Sequence, residues 1–174
     1  MSNPVQGILQ TADDFFAKGE FREASRKYLE VLRIQSDHPV ALHHLGLCCY
    51  RTGSHEQARN LIFQSVSIQQ NNAVAHDHLG VVLVALNDFI HAEASFKSAI
   101  AIQPSYVDAY HNLGALLIKQ KHYSRALAIL ESSPSTPKGA LSRHKLLGQT
   151  HLLLGNTDQA LTHLEQALMQ RSSD

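Results

Sequence analysis

Apolar residues return along this chain at helical spacing, and the pattern of their return itself repeats. Across residues 73–106, AVAHDHLGVVLVALNDFIHAEASFKSAIAIQPSY, one helical face gathers His76, Leu79, Gly80 and Leu83, and a second, later face gathers Ala92, Phe96 and Ala99. Shifting this stretch by 34 residues in either direction reproduces it: Gly46, Gly80, Gly114 and Gly148 fall in one column, and Ala24, Ala58, Ala92, Ala126 and Ala160 in another. A period of about 20–50 residues marks a stacked array. In such an array no unit buries its own apolar face, and stability comes from neighbour on neighbour. The register gives five units, 5–38, 39–72, 73–106, 107–140 and 141–174, beginning at Val5, Pro39, Ala73, Val107 and Leu141. Each predicts a helical hairpin, and residues 1–174 are expected to form a single domain.

Local chemistry agrees with the hairpins. Gly80 and Ala92 are small where two helices must approach closely, toward the short end of the roughly 8–10 Å range of interaxial distances. Between the two helices of each unit stand Gly19, Gly53, Asn87, Lys121 and Gly155. A first helix that stops in a left-handed conformation wants Gly there, and next Asn. Lys121 is expected to carry strain. Pro104 closes the third unit, and Pro39 opens the second at a position where its missing amide hydrogen costs little.

The residues that carry these positions resemble the tetratricopeptide repeat (TPR). In the third repeat the match reads His76, Leu79, Gly80, Leu83, Ala92, Phe96, Ala99 and Pro104; in the fourth, Tyr110, Leu113, Gly114, Leu117, Ala126 and Leu130. The resemblance implies an all-α, right-handed superhelical solenoid of five antiparallel helix pairs, the first helix of each pair lining a concave groove. It also implies a binding module for peptides or protein segments.

Three departures modify that picture. Repeat one places Thr11 and Asp14 where its neighbours hold Leu and a small or apolar residue, which suits an end unit facing water. In repeat four, Pro134 and Pro137 within the stretch 131–139 are expected to cut the second helix short by about a turn. The last helix carries Leu161, Leu164 and Leu168 with no polar cap following, a surface for a partner or a second copy.

Candidate binding residues are what remain of the first helices once the packing positions are assigned, and the resemblance puts them on the groove wall. One row is apolar: Phe16, Tyr50, Val84, Ile118 and Leu152, continued by Leu47, Val81 and Ala115. Its spacing is also that of a core row between repeats. The row beside it is polar: Gln10, His43, His44, Asp77, His78, His111, Asn112 and Lys145. Apolar anchors beside hydrogen-bonding side chains suit an extended segment or an amphipathic helix. Asn112 stands where the repeats of O-GlcNAc transferases set an Asn that grips peptide backbone. His44 and His78 hold the equivalent places, which argues against a continuous asparagine ladder. The carboxylate-clamp positions of chaperone-binding repeats hold Leu9, Asp13, His44, Val74 and His78, so chaperone C-termini are not expected as ligands.

Composition narrows the function classes. Lys plus Arg and Asp plus Glu both total 15, so no large basic field draws nucleic acid or anionic lipid. The longest apolar run, residues 79–86, is too short to span a bilayer, and the N-terminus lacks the cationic stretch of a secretory signal. The only cysteines, Cys48 and Cys49, are adjacent in a predicted helix, which rules out a disulfide framework and suits a reducing cytoplasm. His44 and Cys48 have the spacing of two ligands on one helical face, but zinc needs at least three protein ligands, and neither a CxxC nor an HExxH pattern accompanies them. Neither a Ser-His-Asp ordering nor a phosphate-binding glycine loop stands out. The expectation is a non-enzymatic scaffold without metal or cofactor that binds a protein segment. Its alternatives are the recruiting arm of a larger glycosyltransferase or methyltransferase, and a self-assembling scaffold joined through Leu161, Leu164 and Leu168.

Overall fold

The computed structural model describes residues 4–171, and over them every regular element is helical. In order they are α1 Pro4–Ala17, α2 Phe21–Ile34, α3 Pro39–Arg51, α4 His55–Ile68, α5 Ala73–Ala85, α6 Phe89–Ile102, α7 Val107–Lys119, α8 Tyr123–Ser132, α9 Pro137–Leu153 and α10 Thr157–Arg171. The chain divides into two compact units, residues 1–92 and 93–174, with the division inside α6. In the first, α1 packs on α2, α2 on α3, α3 on α4, and α4 on α5; in the second, α7 packs on α8, α8 on α9, and α9 on α10.

The turn inside each helix pair is the same device five times. Gly19, Gly53 and Gly155 have φ of 78°, 86° and 80°, and Asn87 and Lys121 reach 59° and 62°. The left-handed residue folds the chain back so that the next amide reaches the carbonyl of the last helical turn: Glu20 N–H donates to Phe15 O at 2.9 Å, Asp88 N–H to Leu83 O at 2.9 Å, and His122 N–H to Leu117 O at 2.8 Å. The left-handed residue's own N–H bonds the carbonyl of Phe16, Tyr50, Val84, Ile118 or Leu152. That predicted apolar row therefore sits at the final turn of each first helix.

Close approach inside a pair falls on the glycine column. A Cβ on Gly46 would lie 2.5 Å from Ile62 Cγ1 and 3.2 Å from the Ala58 carbonyl, one on Gly114 2.6 Å from Leu130 Cδ2, and one on Gly148 2.8 Å from Leu164 Cγ. The bare backbone is the socket into which one large side chain of the second helix fits. Leu164 thus serves the α9–α10 crossing. In the first unit Val5, Leu9, Ala12, Ala24, Tyr28, Val31, Ala41, Leu45 and Cys48 form one buried cluster, against which Phe16 and Phe21 pack. Each large member contributes about 1.5–3 kcal/mol by leaving water.

Some helix starts carry side-chain caps. Asn72 Oδ1 accepts from Ala75 N–H at 3.0 Å ahead of α5, and His38 Nδ1 accepts from Ala41 N–H at 3.3 Å ahead of α3, with Pro39 at its first position.

The fourth pair is irregular as expected, and its neighbour compensates. Helix α8 has 10 residues where α2, α4 and α6 have 14. Pro137, however, is not only a stop. Capped by Thr136, whose Oγ1 accepts from Gly139 N–H at 3.2 Å, it starts α9 four residues before Leu141, so that α9 has 17 residues against 13 in α7. The added turn lies on α7: a Cβ on Gly139 would meet Val107 Cγ1 at 2.5 Å and His111 Cε1 at 3.3 Å. From α9, Arg143 donates through Nε to Leu130 O at 3.0 Å and through Nη2 to Glu131 O at 3.1 Å. Its guanidinium reaches the last carbonyls of the shortened α8, of which Leu130 O takes only a long backbone bond, from Ser133 N–H at 3.4 Å.

Candidate functional site

In the first unit, α1, α3 and α5 present the predicted residues in two layers. The outer layer is a cleft of about 200 Å³ lined by Phe16 of α1, by Leu47, Tyr50 and Arg51 of α3, and by His78, Val81 and Val82 of α5. Of the residues selected from the sequence, Phe16, Leu47, Tyr50, His78 and Val81 meet there. Val84 is half-buried on the next turn of α5.

Beside the cleft runs a hydrogen-bonded line of polar side chains that holds the first helices in register. Tyr28 of α2 donates its hydroxyl to Asp13 Oδ1 at 2.7 Å. His44 Nδ1–H donates to the same oxygen at 3.1 Å; a carboxylate only accepts, so this nitrogen carries the proton. Tyr28 Oη lies 3.1 Å from that nitrogen as well. His44 stacks on Phe16 with ring centroids 5.7 Å apart. His43 Nε2 then meets His78 Nδ1 at 2.8 Å, tying α3 to α5. Burial, followed by the neighbouring His78 and His44, pulls the His43 imidazole down to about 3. Burial, then the hydrogen bond and negative charge of Asp13, raises Tyr28 far above the ordinary phenol range.

Not every selected residue faces outward. His43, Asp77 and His111 are 5%, 2% and 8% exposed. They are interior polar groups that organise the helices. In the second unit His111 lies under the added turn of α9 at Gly139, and burial is the leading cause that lowers its basicity. Asn112 and Ile118 are half-buried, while Lys145 and Leu152 are exposed.

The second unit also has a histidine group that sequence reasoning did not select. His144 Nδ1 stands 3.1 Å from His163 Nδ1, and His151 stacks on His163 with centroids 5.4 Å apart. Burial lowers the basicity of both His144 and His163. Their helical spacing is that of ordinary packing positions, so only the α9–α10 crossing brings them together. Arg51, which also lines the cleft, was not among the selected residues.

Burial pushes the Cys48 thiol up to about 11 and raises that of Cys49 too, so neither is an activated nucleophile. Among the described residues no group of three or more His, Cys, Asp or Glu side chains is arranged to hold a metal ion, and no helix is long and apolar enough to cross a membrane.

Family models of the tetratricopeptide repeat match residues 9–73, 83–143 and 146–166. No curated protein matches the sequence. Among solved structures, that of MamA aligns over 93% of this chain and 95% of its own with a TM-score of 0.82 at 24% identity. MamA from residue 41 to its end, from Desulfovibrio magneticus RS-1, covers 100% of this chain and 98% of its own, with a TM-score of 0.82 at 18% identity. YrrB, a TPR protein with an unusual peptide-binding site, covers 95% and 85%, with a TM-score of 0.74 at 19% identity. At such identities the likeness is one of fold.

Proposed function

The chain belongs to the tetratricopeptide repeat family, and from that premise we propose that it is a non-enzymatic scaffold or adaptor that holds a segment of a partner protein against its first helices. The observation that carries this reading is the convergence of Phe16, Leu47, Tyr50, His78 and Val81 on one cleft. An apolar floor beside fixed polar groups is what a peptide with hydrophobic anchors needs. Preorganisation supports it further. The Tyr28–Asp13–His44 and His43–His78 bonds fix the wall before a ligand arrives, so binding orders the ligand without also ordering the receptor. The peptide-binding site of YrrB is a precedent on the same fold.

The test is photo-crosslinking in cell extract from a reactive amino acid placed at Tyr50, with the exposed Phe63 of α4 as the control position. A discrete adduct from position 50 alone is expected, together with its loss in a Leu47→Asp chain of unchanged helicity. Equal capture from both positions, or none from position 50, rejects the reading.

A second reading, self-association through α10, has its own observation: Leu161, Leu168 and Met169 are 59%, 64% and 68% exposed on that helix. Light scattering that shows a mass rising with concentration, and falling back in Leu161→Glu with Leu168→Glu, would establish it. A monomer at every concentration excludes it.

A further inference from the structure

Resting on the groove reading above, we infer that the cleft of the first unit takes one bulky apolar side chain from an acidic partner segment, whose neighbouring carboxylate is held by Arg51. The size of the cleft sets the first half of this inference. About 200 Å³ falls below the roughly 300–1,000 Å³ of pockets that enclose small molecules, yet it is ample for a single aliphatic or aromatic anchor. Leu47, Tyr50, Val81 and Val82 give it an apolar lining.

Charge sets the second half. Arg51 is the one permanently charged residue among those lining the cleft, and among the described residues no carboxylate pairs with it and no acceptor takes its N–H groups. Its guanidinium carbon lies 6.0 Å from the centroid of the Phe21 ring. Phe21 in turn meets Phe16, a wall of the cleft, edge-on at 5.4 Å. The aromatic face holds the cation at the rim while leaving its planar fork of five donors open, the arrangement that receives a carboxylate in bidentate fashion. No carboxylate lines the cleft beside Arg51, and Asp13 Oδ1 in the neighbouring polar line accepts from Tyr28 and His44. A carboxylate laid over the apolar cleft is shielded from water by the segment that brings it, which strengthens the pair beyond an exposed surface bridge.

The experiment is a selection from random short peptides displayed on phage against the full chain, followed by synthesis of the enriched sequences and amide-shift mapping on labelled protein. Enriched peptides carrying Leu, Ile or Phe beside Asp or Glu, and perturbing Tyr50, Arg51 and Val81, are the expected result. Arg51→Glu, at a solvent-facing position that leaves the fold intact by circular dichroism, should weaken these peptides about tenfold or more and favour versions with Lys in place of the acids. Neutral or basic peptides that perturb the same residues equally well overturn the acidic assignment and leave the groove reading standing. Peptides that leave Tyr50 and Val81 unperturbed, or a selection that enriches none, overturn both.

Discussion

His43 Nε2 lies 2.8 Å from His78 Nδ1, joining α3 to α5 through a bond between two imidazoles. Such a bond needs one nitrogen with its proton and one without, so it does not survive protonation of both rings. His43 faces His78 and His44, and burial leads the causes that pull it from 6.5 down to about 3. The folded state thus disfavours the protonated ring, while the unfolded chain takes up the proton near 6.5. This contribution to stability is fully present above pH 6.5 and is lost as pH falls from there toward 3. Urea midpoints should decline over that window. His43→Leu, which leaves no proton to take up, should show a shallower decline; an identical slope in the two proteins would refute the assignment.

The fold was legible in the sequence where its requirements are local. A left-handed residue must stand between two helices of a pair, and Gly19, Gly53, Asn87, Lys121 and Gly155 all have positive φ. The site was legible only in part. Helical spacing assigns a residue to a face but does not say what covers that face. It brought Phe16, Leu47, Tyr50, His78 and Val81 to one cleft. It also selected His111, which ends under a turn of α9 created by the displaced start at Pro137. The His144–His163 contact and the reach of Arg143 to α8 depend on where helices stop and cross, a consequence of packing that no single segment encodes.

Lys121 has φ of 62° in a column otherwise held by Gly or Asn. A non-glycine residue in that region costs on the order of 1–3 kcal/mol, and its hydrogen bonds to the preceding helix are made by backbone alone. Lys121→Gly should therefore raise stability by about 1 kcal/mol, read as an upward shift of the thermal midpoint. Lys121→Val, β-branched and worse in that conformation, should lower it.

One substitution should have opposite signs at two glycines. Gly7 lies in α1 with nothing within 4 Å of an added Cβ, so Gly7→Ala should gain roughly 0.8–1 kcal/mol of helix propensity. At Gly46 the same methyl would sit 2.5 Å from Ile62 Cγ1 and 3.2 Å from the Ala58 carbonyl. There the propensity gain is set against overpacking of about 1–3 kcal/mol, and backbone on the far side leaves little room to relax. Denaturant midpoints should rise for Gly7→Ala and fall for Gly46→Ala. A rise at both would mean that the α3–α4 crossing is looser than its packing implies.

Arg143 takes the place of secondary structure. Helix α8 ends at Ser132, and another turn would bring closer amides to its final carbonyls, of which Leu130 O takes only a long backbone bond from Ser133 N–H, 3.4 Å. Arg143 Nε and Nη2 reach Leu130 O and Glu131 O at 3.0 and 3.1 Å from the neighbouring helix. Hydrogen bonds from a charged donor contribute about 1.5–3 kcal/mol each where water is excluded, and less where it is not. Leu130 is buried and Glu131 is exposed, so the Leu130 bond carries the larger share. Arg143→Ala should cost about 1–3 kcal/mol, with a local signature. Amide exchange should quicken at the end of α8 and the start of α9, while α1 to α4 keep their protection. Arg143→Lys, whose ammonium has three donors but no rigid planar fork to fix on both carbonyls, should fall between the wild type and Ala. If Lys restores full protection, then net charge rather than the forked geometry of the guanidinium secures the shortened helix.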